Sequence, residues 1–561
     1  MIKRLFNGFL LVSLIGVSSY YLLDNVEKSQ KIEDLLPRDT VVYLRMNNLA
    51  DTCTHLVHSP VGRQLTGARL KKLLMQCGVG ENDTATVHKA AAFFQYMVGH
   101  PLFPMLLHAD SGLALLPPEE EYDDVLEYLL DNVLFVARAT VALSPDLVLA
   151  KLSDVKKDIK KTRYYEKEVV CVTLESGESF AFAVVEDKVL LSGGTRTLYR
   201  SLDLYEQRNI RPKENLSREK EYRKLAGENT GKQKHLLYCN LSQLTEVLDI
   251  FSSPPARRWT FADNNRLYMR HQTRGDTDQL QVILQGHIAE LDGSVQTYIQ
   301  AMPEKDKQLH HLDEGVVAYL WTNWLDLKGL WRSLSRNPAP HAAAALFYIG
   351  QQLQRHTGHD IDFFTGLFGR QGGFVLYEAP KKKPSSLPMV LLFIDVESPI
   401  KIHAFFNRIL APFATTQYTF AGYEAVSMLM ADGLIQPAYA VIGHRLFIAD
   451  NIALLQRFVK KQKKRLVNDS GFKKVDPGFR KKSNLLAYAR IDQFNRQLEA
   501  LCTWWITSLG QVGAMEPEFG DLLVNKLMTP LFQSLNHVRA QAIRMTAGED
   551  SIRVDIVLHS F

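Results

Sequence analysis

Period-two alternation of apolar and polar residues marks the clearest elements of this chain. The runs DQLQVILQG from Asp278 and SIRVDIVLH from Ser551 read as half-buried antiparallel strands, because successive side chains of a strand point to opposite faces. Two longer stretches place apolar runs on both sides of a short polar turn: AFAVVEDKVLLSGG from Ala181 and AYAVIGHRLFIADN from Ala438. That pattern predicts β-hairpins. A helix-like stretch follows each, TLYRSLDLYEQ from Thr197 and ALLQRFVKKQ from Ala453.

The two hairpins resemble each other, and other segments match in the same order. TVVYLRMNNL from Thr40 matches VVAYLWTNWL from Val316, with Tyr43 over Tyr319 and Asn47 over Asn323. EYRKLA from Glu221 matches GFKKVD from Gly471. LYCNLSQL from Leu237 matches AYARIDQF from Ala487, with Tyr238 over Tyr488. Collinear matches of this kind indicate internal repetition. Helices set between antiparallel strands imply an α+β class. The sequence therefore predicts two diverged tandem copies of an antiparallel-sheet-plus-helices domain, residues 35–300 and 314–561, joined by a polar linker at 301–313.

Ahead of the first copy, residues 5–23 read LFNGFLLVSLIGVSSYYLL without a charge, close to the roughly 20 apolar residues that span a bilayer. Lys3 and Arg4 precede the run in a short tip, residues 1–4, and Asp24 and Glu27 follow it in a linker, residues 24–34. The positive-inside bias puts the N-terminus in the cytoplasm and the body in the periplasm or extracytoplasmic space. The run is expected to be a single-pass anchor in the inner membrane. A cleaved signal peptide, with Val17 and Ser19 before the cut, is the alternative.

LLPRDTVVYLRMNNL behind such a segment, then SPVGRQL from Ser59 and the later hairpin at Tyr439 to Ala449, resemble a family of bacterial membrane-anchored proteins of unknown function. The resemblance covers most of residues 35–560 and implies a periplasmic, duplicated α+β body. The second copy departs from the opening pattern, with Leu312-Asp313-Glu314 where the first has Leu36-Pro37-Arg38. The resemblance implies no activity.

Composition adds limits. At 561 residues, 46% hydrophobic and 23% charged, the chain has the balance of a globular protein with two or more domains. Its net charge of +5 is small for that length, and nucleic acid is not an expected partner. The five cysteines form no CxxC or zinc-type spacing. Cys53 and Cys77 are close enough in sequence to bridge in an oxidising compartment, and free buried thiols are the plainer expectation.

No GxSxG, HExxH or Walker pattern occurs. The richest polar cluster is HTGHDID, where His356 and His359 with Asp360 and Asp362 are weak candidate metal ligands. The plainer reading is a polar helix end before a Gly-rich turn (Gly366, Gly369, Gly372, Gly373), whose glycines precede a strand instead of opening a helix as a phosphate loop does. Among the basic runs (KKDIKK from Lys156, KKK at Lys381, RKKS from Arg480), KKQKKR is the densest. Its Lys460, Lys461, Lys463, Lys464 and Arg465 are candidates for an anionic surface, either lipid headgroups or an acidic polymer. Trp321, Trp324 and Trp331 fall at helical spacing, and Trp504 and Trp505 lie in another amphipathic stretch. Core packing is the first reading, and an apolar groove for a partner or a lipid chain the sharper one.

No cofactor is implied. The expected function is that of a non-enzymatic, membrane-anchored binding or scaffold protein of the bacterial cell envelope, with the bilayer and another envelope protein, lipid or polymer as partners. The alternative is an envelope hydrolase, whose fold would bring a histidine against a carboxylate or a hydroxyl.

Overall fold

The structure is a computed structural model. It describes most of residues 31–48, 109–138, 157–207, 214–223, 233–251, 265–286, 301–378, 389–429, 436–511 and 538–560, with a few positions between. Twenty strands are described, and their pairings are antiparallel. The chain divides into two units. Unit 1 is mainly residues 1–274 and unit 2 mainly residues 287–508 with the C-terminal strands.

Unit 1 holds β1 (Val42–Asn47), β2 (Asp110–Leu115), β3 (Val133–Arg138), β4 (Lys157–Tyr164), β5 (Lys167–Leu174), β6 (Ser179–Val185), β7 (Lys188–Ser192), β8 (Gln233–Asn240), β9 (Arg266–Arg274) and most of β10 (Thr277–Gln285). From β9 the strands run β9-β8-β1-β2-β3-β7-β6-β5-β4, every pair antiparallel. Unit 2 holds β11 (Val316–Thr322), β12 (Phe368–Tyr377), β13 (Met389–Val396), β14 (Thr415–Phe420), β15 (Tyr423–Met428), β16 (Ala438–Ile442), β17 (Arg445–Ala449), β18 (Leu485–Ala489), β19 (Val538–Ala547) and β20 (Ser551–Ser560). Its order is β20-β19-β18-β11-β12-β13-β17-β16-β15-β14. From β19 onward the order within unit 2 follows that of unit 1 strand for strand.

The expectation of two α+β bodies behind a transmembrane helix is corrected by this architecture, which is sheet-dominated and antiparallel throughout. Part of the reason lies in two hairpins that the sequence pattern concealed, β4–β5 and β14–β15. KKDIKK reads as a solvated face or loop, and it lies on a strand with an exposed face: Lys157–Tyr164 pairs with Lys167–Leu174 over its whole length. Lys160 and Lys161 are exposed on this outermost strand, where lysines discourage pairing with a further strand. Among the described residues no helix is long and apolar enough to cross a membrane. The run Leu5–Leu23 lies outside the described residues. The single-pass anchor, and the inner-membrane location with a periplasmic body drawn from it, are withdrawn, since no spanning helix is described to carry them.

The polar run 301–313 also differs from a free linker. Leu309 and Leu312 are buried in the core of unit 2 with Trp321, Tyr319, Leu391 and Phe447. Asp306 accepts from the backbone N–H groups of Gln308 (2.7 Å) and Leu309 (3.2 Å) and from the Tyr319 hydroxyl (2.5 Å). Burial pushes its carboxyl above the usual range, against the hydrogen bonds that hold it down. In unit 1 the turn Ile32–Leu35 is buried in the same way. There Glu33 accepts from the Tyr222 hydroxyl (2.9 Å) and pairs with Arg45 (3.1 Å), which also grips Asp110. The Tyr43 hydroxyl is buried with no hydrogen-bond partner among the described residues.

Trp321 belongs to β11 and not to a helix, and it is fully buried. Its neighbours in the sheet come close because β12 carries glycine. A Cβ on Gly373 would lie 2.0 Å from the Leu320 carbonyl oxygen, so only glycine fits there.

Candidate binding cleft

Three helices of unit 2 stand between β11 and β12: α1 (Leu327–Arg336), α2 (Pro340–Thr357) and α3 (Ile361–Thr365). The Asp326 carboxylate opens α1 by accepting from the Gly329 N–H at 2.9 Å. Proline at the first position of α2 is compatible with a helix start, where no N–H partner is needed. Gly358, at a φ of 72°, ends α2 in the left-handed conformation that closes many helices. Asp360 then caps α3, accepting from the Phe363 N–H at 2.7 Å.

Between these helices lies a cleft of about 820 Å³, walled by Trp331, Leu346, Phe347, Ile361, Gln351 and Arg355, with Asp360 also at its lining. Leu346 and Gly350 are half-buried, whereas the next face of α2 points outward. Phe347, Tyr348 and Ile349 are 72%, 61% and 50% exposed, and Leu330 on α1 is 46% exposed. Single exposed apolar residues are ordinary. Adjoining ones around a cleft are a recognised mark of an interaction site. The volume falls in the range of roughly 300–1,000 Å³ that ligand sites occupy.

The metal candidates sit just beyond this cleft and serve its framework. His359 Nε2 accepts from Arg408 Nη1 at 2.9 Å, and its ring stacks on Phe363 at 3.9 Å. Arg408 also donates to the Thr357 carbonyl at 3.1 Å, satisfying the end of α2. A guanidinium at the imidazole and a capping role for Asp360 both work against a cation between them. His356 and Asp362 are exposed. Among the described residues no group of three or more His, Cys, Asp or Glu side chains is placed to hold a metal ion.

The basic run is split. Lys461 and Lys463 lie outside the described residues. Lys460 is exposed at the end of the helix Ile452–Val459, and Lys464 pairs with Glu314 at 3.1 Å. Arg465 is half-buried and forms a backbone bridge with Asp313. The run thus leads into a backbone contact of the core. Trp331 lines the cleft. The side chains of Trp504 and Trp505 lie outside the described residues. Cys53 is a free thiol, and Cys77 lies outside the described residues.

One histidine does meet a carboxylate. His559 Nδ1 lies 3.5 Å from Asp276 Oδ2, but its Nε2 faces Lys474 Nζ at 3.4 Å, which leaves no free ring nitrogen for a substrate. Two further clefts, of about 710 and 740 Å³, are lined by many charged groups, among them the ion pairs Arg445 with Asp395 and Arg200 with Asp39.

No family model matches the chain, and no curated protein matches it. A solved structure described as crystal form I of TP0453 is similar at a TM-score of 0.22 and 9% identity, over 48% of this chain and 84% of that one. A likeness that low carries no argument about fold or function. The resemblance to a membrane-anchored family therefore rests on the quoted motifs alone.

Proposed function

We propose that the protein is a non-enzymatic binding or scaffold protein, and that the cleft between α1, α2 and α3 is where it binds. The observation that carries this reading is the run Phe347-Tyr348-Ile349, exposed beside an apolar cleft of ligand size. Leaving Phe347 and Ile349 this exposed forfeits roughly 1–2 kcal/mol apiece relative to burying them fully. A surface that forgoes that much is readily explained by an occupant. His559 supports the reading further, since both of its ring nitrogens are engaged.

The neutral dye Nile red tests it. The purified chain should enhance the dye's emission. The double variant Phe347→Ser/Ile349→Ser should lose more than half of that enhancement while keeping its circular dichroism and thermal midpoint. Unchanged emission from a folded variant would overturn the proposal.

A further inference from the structure

Charge along the two helices that flank the cleft is one-sided. From Leu327 through His359 the sequence contains Lys328, Arg332, Arg336 and Arg355 and not one aspartate or glutamate. This stretch includes all of α1 and α2. Arg355 itself lines the cleft, is exposed, and has no ion pair or hydrogen bond among the described residues. The one carboxylate at the lining, Asp360, comes from the next helix and is engaged by the Phe363 N–H. The rest of the lining combines Trp331, Leu346, Phe347 and Ile361 with the amide of Gln351. An apolar trough with an unpaired guanidinium at its rim suits a ligand with an apolar tail and an anionic head, because the guanidinium hydrogen-bonds strongly to carboxylate or phosphate.

We infer that the cleft binds a single-chain amphiphile with an anionic head group, of the long-chain carboxylate type, the tail against Trp331, Phe347 and Ile361 and the head at Arg355. This rests on the binding reading above and adds the ligand's chemistry to it. A bulky globular partner is less well matched, since the cleft's volume is that of a small-molecule site. A cationic amphiphile would find no anionic partner at Arg355.

Laurate and dodecyltrimethylammonium carry the same tail and opposite heads. Calorimetric titration of the full chain with each, below the critical micelle concentration, separates the head from the tail. Laurate should bind at about one equivalent and about tenfold more tightly than the ammonium, the size of effect that one favourable charged contact gives. Arg355→Gln should close most of that gap while both tails still bind. Arg332→Gln, on the neighbouring helix and outside the lining, should close less of it and guards against a misfolded first variant. Equal affinities, or a gap that Arg355→Gln leaves untouched, would overturn the anionic assignment while the cleft remained a binding site. Binding to phosphatidylglycerol vesicles with none to monomeric laurate would overturn it in favour of a surface contact. If neither amphiphile binds, the ligand class is wrong. Should Nile red also ignore Phe347→Ser/Ile349→Ser, the cleft reading falls with it.

Discussion

In unit 1 the buried hydroxyl that meets a carboxylate belongs to Tyr222, and in unit 2 it belongs to Tyr319. The aligned positions make this an exchange. Tyr43 aligns with Tyr319, and its hydroxyl is buried without a partner among the described residues. Tyr222 aligns with Phe472, which has no hydroxyl and sits buried between Phe479 and Tyr488. The acid moves as well. Glu33 lies inside its 3-10 turn, whereas Asp306 lies just ahead of the turn Leu309–His311 and holds it by two N–H groups. Each unit thus pins the segment leading into its sheet with one buried acid and one phenol, supplied from different places. The requirement falls on the pairing, because a lone buried carboxylate is costly and a hydrogen-bonded one is tolerable.

The largest effect expected from this comparison is at Arg45. Arg45→Leu would leave the buried Glu33 with the Tyr222 hydroxyl as its remaining side-chain partner and should destabilise unit 1 by about 3 kcal/mol, the cost of breaking a buried pair from one side. A urea midpoint within error of the parent would contradict that arrangement. Next in size is a contrast between aligned tyrosines. Tyr319→Phe should cost about 2 kcal/mol, since a carboxylate loses its donor, while Tyr43→Phe should cost nothing or stabilise slightly, since its hydroxyl bonds to nothing. Equal losses at the two positions would erase the distinction between the units.

Asp306 adds a pH dependence that sharpens the contrast. Its carboxyl is raised in the folded state, chiefly by burial, so the folded form holds its proton more tightly than the unfolded form. The stability this contributes is complete below the ordinary aspartate range and is lost as pH rises through the folded value. Relative to the parent, Asp306→Asn should therefore be worst near pH 4 and should recover toward pH 7. The recovery amounts to about 1.4 kcal/mol for every tenfold by which folding tightens the carboxyl's hold on its proton, readable from paired urea titrations. A deficit that grows with pH would reverse the sign and refute the assignment. The smallest effect is at the β14–β15 turn, where Ala421 sits at a φ of 52° beside Gly422. Ala421→Gly should raise stability by about 0.5–1 kcal/mol by relieving that strain, measurable as a small rise in thermal midpoint.

The aligned tyrosines were legible as a repeat. Tyr43 stands opposite Tyr238, and Tyr319 opposite Tyr488, in matching registers. The hairpin at Ala181 and its counterpart at Ala438 lie where the apolar runs place them. Two features concealed the rest. Lysines on β4 and threonines on β14 leave both faces of those strands looking solvated, so period two is hidden and the sheet is underestimated. Asp306 carries no mark in PEKDKQLHH that sets it apart from its neighbours, because its burial follows from where Leu309 and Leu312 anchor the chain. Of the cleft, Trp331 was legible as an aromatic in an amphipathic stretch. Phe347-Tyr348-Ile349 behind four alanines looks like core, and only the fold turns it outward. The signal that was present is the long acid-free interval from Leu327 to His359.

The two outer hairpins differ in a way that bears on handling the protein in concentrated solution. β4 ends unit 1 with Lys160, Lys161 and Arg163 turned to water. β14 ends its unit with Thr415, Thr416 and Gln417, exposed and uncharged, and among the described strands it bonds to β15 alone. An arriving strand meets repulsion at the first seam and bare amide groups at the second. Salt that screens charge would therefore alter the first seam and leave the second as it was, so precipitation that starts at β14 should be indifferent to ionic strength and yield to a single lysine placed at Thr416.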